Sequence, residues 1–159
     1  MKRLLYAATL TLVLTSNVPA VRADDSPREY QKTTLLVHSG AHPNNARVPN
    51  ATHHFKLYVA GNALSQLSID LPEGISVRRG IEVTDQSGKK VDETVSINDR
   101  KATIAFAQPV PPGTLLSVEM KGIRTSDYLG RTWLYRVYGK DVGMTGEIPL
   151  GTARIQTYK

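Results

Sequence analysis

Cysteine is absent from this chain of 159 residues. That excludes disulfides, thiolate metal sites, iron–sulfur clusters, a cysteine nucleophile and a lipidated N-terminal cysteine. Helical patterning is missing too. No window of helical length carries apolar residues at i, i+3, i+4 and i+7, and Ala63 to Leu67 would make one turn at most. Long apolar runs are lacking: the longest, Leu4 to Leu14, is about half of the ~20 residues that span a bilayer as a helix. Catalytic signatures are equally thin. There is no G-x-S-x-G elbow. Ser87-Gly88-Lys89-Lys90 matches S-x-x-K, but the glycine marks a hairpin turn, whereas serine–lysine chemistry needs that spacing on a helix. Asp92 and Glu93 are adjacent and point apart on a strand. His38 and Ser39 are neighbours, which does not make them a catalytic pair. The expectation is a protein that is not an enzyme and has no cofactor.

What is present begins with an address. Lys2 and Arg3 precede the apolar run, Pro19 follows it, and Val21-Arg22-Ala23 gives a small-residue exit before Asp24-Asp25. A charged start, a short apolar middle and an A-x-A-like site read as a secretory signal peptide over 1–23, cleaved after Ala23. The segment has no Arg-Arg pair, which favours the general secretion route over the twin-arginine one. Residues 24–32 read as a flexible lead-in and 33–159 as one domain. The formal charge of the whole chain is +6. Lys2, Arg3 and Arg22 leave with the signal while all 14 acids stay, so the mature charge is +3. Export and that modest charge argue against nucleic acid as a partner. A cysteine-free exported protein points to a bacterial periplasmic or extracellular setting, with no stable membrane span after cleavage.

The remainder alternates with period two. Ala102, Ile104 and Phe106 share a face opposite Lys101 and Thr103; Leu116, Val118 and Met120 oppose Ser117 and Glu119; Phe55, Leu57 and Val59 oppose His54, Lys56 and Tyr58. Strands are expected at 33–37, 52–59, 66–71, 80–84, 91–97, 101–107, 114–121, 131–138 and 152–158. Turn residues separate them, among them Pro72-Glu73-Gly74, Asn98-Asp99-Arg100, and the stretches 40–50, 109–113 and 146–151. At Pro109-Val110-Pro111-Pro112-Gly113 each proline removes a ladder donor, so pairing should stop there and Gly113 should turn the chain. The expected fold is all-β: a single immunoglobulin-like β-sandwich of about 7–9 strands preceded by a signal peptide.

Several of these segments also carry a likeness. Leu71-Pro72-Glu73-Gly74-Ile75, the run from Phe106 to Thr114, Trp133-Leu134-Tyr135-Arg136-Val137-Tyr138-Gly139 and the ending from Leu150 to Tyr158 together resemble an uncharacterised family of small exported proteins. Its members occur mainly in cyanobacteria, and it is described as a domain of unknown function. The likeness runs from about Asn50 to the end. It implies an exported, mostly β domain and supplies no activity, cofactor or catalytic residue.

Two clusters are candidates for binding. All four histidines, His38, His42, His53 and His54, fall in one stretch, and imidazoles could hold Zn²⁺ or Cu²⁺. Successive strand residues face opposite ways, so only one of His53 and His54 can join His38 and His42, which flank Gly40 in an expected loop. His53 shares the face of Phe55, where a hydrogen-bonded, semi-buried role fits it. The second cluster holds Arg131, Trp133, Tyr135, Arg136 and Tyr138, with Arg124, Tyr128 and Lys140 nearby. Aromatic faces with guanidinium groups could stack on sugars. On a strand Trp133 and Tyr135 share one face and Arg136 and Tyr138 the other, so half of this cluster must be core. The expected partners are an envelope protein or a cell-wall glycan.

Overall fold

The computed structural model describes residues 33–126 and 131–159. The signal peptide, its cleavage site at Ala23, the lead-in and Tyr128 lie outside the described residues. Among those described, all regular structure is β, in two five-stranded sheets packed face to face. The first contains β1 (Leu35–His42), β2 (Ala51–Tyr58), β8 (Leu115–Thr125), β4 (Ile75–Val77) and β5 (Ile81–Thr84). Its order is β1-β2-β8, with β4 and β5 pairing successive lengths of β8. The second contains β10 (Ile148–Gln156), β9 (Thr132–Asp141), β3 (Leu64–Asp70), β7 (Lys101–Val110) and β6 (Glu93–Asn98), in that order. Every pairing within the sheets is antiparallel.

Alternation in the sequence becomes alternation in burial. Along β2, Ala51, His53, Phe55 and Leu57 are buried while the residues between them are not. Along β9, Trp133, Tyr135, Val137 and Gly139 face in. These inner faces meet in one core with Leu67 and Ile69 of β3, Ile104 of β7 and Leu116, Val118 and Met120 of β8. Each fully buried aliphatic or aromatic side chain there contributes about 1.5–3 kcal/mol. Along one side the edge strands β1 and β10 are tied together, Ser39 Oγ donating to the Arg154 carbonyl at 2.7 Å.

Several strands exceed their expected bounds, and the pairing explains why. The loop expected around Gly40 is strand: β1 runs through His38 to His42, paired residue by residue with β2. Strand β10 starts at Ile148 and absorbs Pro149 and Gly151 through an irregularity in its register. Strand β7 continues to Val110, past the point where pairing was expected to stop. The physical reason for expecting a stop still acts, because β3 pairs with Ala105 and then only with Val110, leaving Phe106 to Pro109 outside that ladder. Gly113 makes the turn with φ 89° and donates to the Val59 carbonyl. The short β4 was not expected at all.

Candidate functional site

Imidazoles are distributed over both faces of the first sheet. His53 points into the core and is 1% exposed. Its Nδ1 lies 2.6 Å from the hydroxyl of Tyr135, which comes from the opposite sheet. Burial, with the nearby His54 adding to it, lowers the His53 pKa to about 4. Burial likewise pushes the Tyr135 phenol upward. Both groups are therefore neutral near pH 7, and one shared proton links the two sheets. His53 also lines a cavity of about 240 Å³ with Ala46, Val48, Ala51, Ile123 and Arg124 among its walls.

The other three imidazoles share the outer face. His54 is partly exposed and His38 and His42 are exposed. Gly40 is the register partner of His54, which places His38 and His42 diagonally on either side of it. The His38 and His54 rings stack with centroids 5.8 Å apart and planes at 28°. Burial lowers the pKa of His54 most; His38, Lys56 and His42 lower it further while Glu119 opposes them. Of the four histidines, then, His38 and His54 come together, His42 lies nearby, and His53 is separated from them by its own strand. Among the described residues no group of three or more His, Asp and Glu side chains is placed to hold a metal ion.

The aromatic and basic cluster divides as its alternation requires. Trp133 and Tyr135 are 2% and 0% exposed, so neither offers a face to a ligand. This corrects their inclusion in a sugar platform, since the inner face of β9 is fully packed. Trp133 Nε1 donates to Thr157 Oγ1 at 3.2 Å, and the Arg131 guanidinium lies 5.1 Å from the Trp133 ring. Arg131 thus lies over the ring of a core anchor. Arg136 and Tyr138 point outward. The Tyr138 ring has Lys101 Nζ 5.6 Å from its centroid.

That outer face of the second sheet carries an open groove of about 670 Å³. Leu134 and Arg136 from β9 form one wall; Asp70 at the end of β3 and Asn98, Asp99, Arg100 and Lys101 from the β6–β7 turn form the other. Beside it Glu147 is held by three partners: Lys101 Nζ donates at 2.8 Å, Gln66 Nε2 at 3.2 Å and Ser68 Oγ at 2.5 Å. Those bonds hold the Glu147 carboxylate below its ordinary range, Lys101 first, and raise Lys101 in return. The groove combines both charge signs with an exposed Leu134, a composition suited to polar ligands with some apolar surface. Sequence reasoning reached Arg136 and Tyr138 by alternation but missed Asp70, Asp99 and Leu134, which only the cross-strand register assembles. The S-x-x-K match lies in a hairpin turn, where Ser87 Oγ donates to Asp85 at 2.6 Å.

The sequence profile described as Protein of unknown function (DUF2808) matches residues 29–156. No curated protein matches the chain by sequence. Among solved structures, the full-length major pilin SpaD from Corynebacterium diphtheriae is similar at TM-score 0.53 and 13% identity, over 77% of this chain and 33% of the pilin. BcpA, the major pilin subunit of Bacillus cereus, is similar at TM-score 0.52 and 10% identity, over 79% of this chain and 40% of the subunit. A collagen-binding domain from a Staphylococcus aureus adhesin gives TM-score 0.46 at 7% identity, over 79% of this chain and 97% of that domain. The two pilins share this immunoglobulin-like β-sandwich fold, and the chain spans well under half of either.

Proposed function

The chain belongs to the DUF2808 family, described as of unknown function, and we propose that it is a non-enzymatic binding or structural module of the bacterial envelope. In this reading the segment 1–23 exports it and is removed after Ala23, leaving a domain that meets its partner outside the cytoplasm. The observation that carries the reading is the groove on the outer face of the second sheet, whose side chains come from strands β9, β3 and β7 and from the short turns at their ends. The sandwich shared with pilin subunits supports a structural or binding module, because function in such folds resides in surfaces grafted on a stable frame.

The groove's composition favours a second, narrower reading, in which the partner is a cell-wall glycan held by Arg136 in the groove and by Tyr138, which stands outside it beside Lys101 on the same face. Guanidinium and carboxylate groups hydrogen-bond sugar hydroxyls, and the Tyr138 ring adds a partly apolar face. The test is pull-down of the mature chain on native envelope fractions and on purified cell-wall polysaccharide, with Arg136→Ala and Tyr138→Ala alongside. Retention on polysaccharide that both substitutions reduce supports the glycan reading. Retention only on envelope protein, reduced by Arg136→Ala, supports the module with a protein partner. Retention that neither substitution alters removes the groove from both readings. Trp133→Ala would not discriminate, since it opens the core.

A further inference from the structure

We infer that His38 and His54, converging over Gly40, form a two-imidazole site for Cu²⁺ on the outer face of the first sheet. The two residues stand diagonally on adjacent antiparallel strands, where side chains on one face lie within reach of each other. Gly40 occupies the position between them. A Cβ built on Gly40 would meet His54 Nε2 at 3.2 Å and His38 Nε2 at 3.9 Å. Both Nε2 atoms therefore approach one point, and 3.2 plus 3.9 bounds their separation at 7.1 Å. Metal–imidazole bonds of about 2.0–2.1 Å require the two nitrogens to come within about 4 Å. The two rings are stacked in the free chain, so binding requires the exposed His38 to turn its ring out of that stack toward a point shared with His54. Any side chain at position 40 would occupy the shared space, which gives the glycine a role beyond conformation.

The identity of the ion follows from the donors. Imidazole nitrogens suit first-row transition ions, and affinity for a given site rises to a maximum at Cu²⁺. Copper in tetragonal geometry accepts two adjacent nitrogens and completes its plane with water. Two ligands suffice for it, whereas a closed tetrahedral zinc site needs four. Glu119, the register partner of His54 on β8, places negative charge on the same face. Lys56 on β2 opposes it, and Glu119 is itself 3.5 Å from Lys121. The site is thus an imidazole chelate and not an electrostatic trap. It is independent of the groove, which lies on the other sheet.

The experiment titrates the tag-free chain with Cu²⁺ alone in a non-coordinating buffer, followed by calorimetry and electron paramagnetic resonance. One ion per chain is expected, with hyperfine structure from two equatorial nitrogens. His38→Gln and His54→Gln should each weaken binding by at least about tenfold, because each leaves a single ligand. Gly40→Ala should weaken it through the space it fills, and His42→Gln should leave it within about twofold. His38 is exposed, so its variant keeps the fold, as circular dichroism would verify. The inference is overturned by an absence of saturable binding, by binding that survives His38→Gln unchanged, or by a spectrum lacking nitrogen coupling.

Discussion

The contact between His53 Nδ1 and the Tyr135 hydroxyl, 2.6 Å long and wholly enclosed, joins the two sheets through a polar bond inside an apolar core. Removing one partner leaves the other desolvated and unpaired. Tyr135→Phe is therefore expected to cost about 1–3 kcal/mol, read as a lower urea midpoint at unchanged slope. The same enclosure makes stability depend on pH. His53 has a pKa of about 4 in the folded chain against 6.5 for the free group. On acidification the unfolded chain takes up this proton first, so stability is fully present above pH 6.5 and is lost as pH falls through 6.5 toward 4. The full loss is about 3 kcal/mol by proton linkage. Urea midpoints measured with chelator present should fall across that window in the parent and fall less steeply in His53→Gln, where the lowered His54 keeps part of the dependence; equal slopes in the two would show that His53 is not a group responsible. Alternation placed His53 on the inner face in the sequence. Its partner was not legible, because Tyr135 lies 82 residues away and only the facing of two sheets brings it near.

Strands register their neighbours through irregularities as much as through regular pairs. Between Ala51 and His53 the β2–β8 register shifts: Ala51 pairs Ile123 and His53 pairs Met120, so β8 holds one residue more than β2. That bulge lets Met120 and Ile123 both face the core. Gly122 makes it possible, with φ 67° and the Arg79 side chain lying over its Cα. A Cβ there would sit 2.5 Å from Arg79 Cγ. Gly122→Ala should destabilise by about 1–3 kcal/mol through its backbone conformation and this clash. Adding Arg79→Ala should recover only part of the loss, since it removes the contacts with Cγ and Cδ but leaves the Cβ of residue 79 at 3.0 Å and the backbone strain in place. Thermal unfolding of the single and double variants separates the two terms, and full recovery would refute the strain. At this scale strong alternation was legible, as in β2, β7 and β8. Segments where pairing overrides punctuation were not: Gly40 reads as a turn, yet β1 passes straight through it because β2 satisfies its backbone. The three residues of β4 are too few to show a period.

Taken whole, the molecule buries one continuous core drawn from both sheets. Connections that cross between the sheets bind them further: past the turn at Asp85 to Lys89, Val91 N donates to the Val83 carbonyl of β5 at 2.9 Å, and one residue on the Asp92 carbonyl accepts from Ala107 N of β7 at 2.9 Å. Neither sheet can keep its inner face from water without the other, so separation of the layers and loss of the strands should be one event. Trp133 reports on this directly. It is the only tryptophan of the chain, it lies on β9 of the second sheet, and it is 2% exposed. Its native emission should be blue-shifted and should move to longer wavelength on unfolding. The urea transition followed by Trp133 emission should coincide with the one followed by far-ultraviolet circular dichroism, which samples the strands of both sheets. Two separate midpoints would mean that the first sheet, with the imidazoles on its outer face, holds its structure independently of the second. A Tyr135→Phe variant sharpens the comparison, because it removes a bond made only between the layers. If folding is all-or-none, that substitution lowers both probes' midpoints equally; a shift confined to the tryptophan signal would mark layers that part before they unfold.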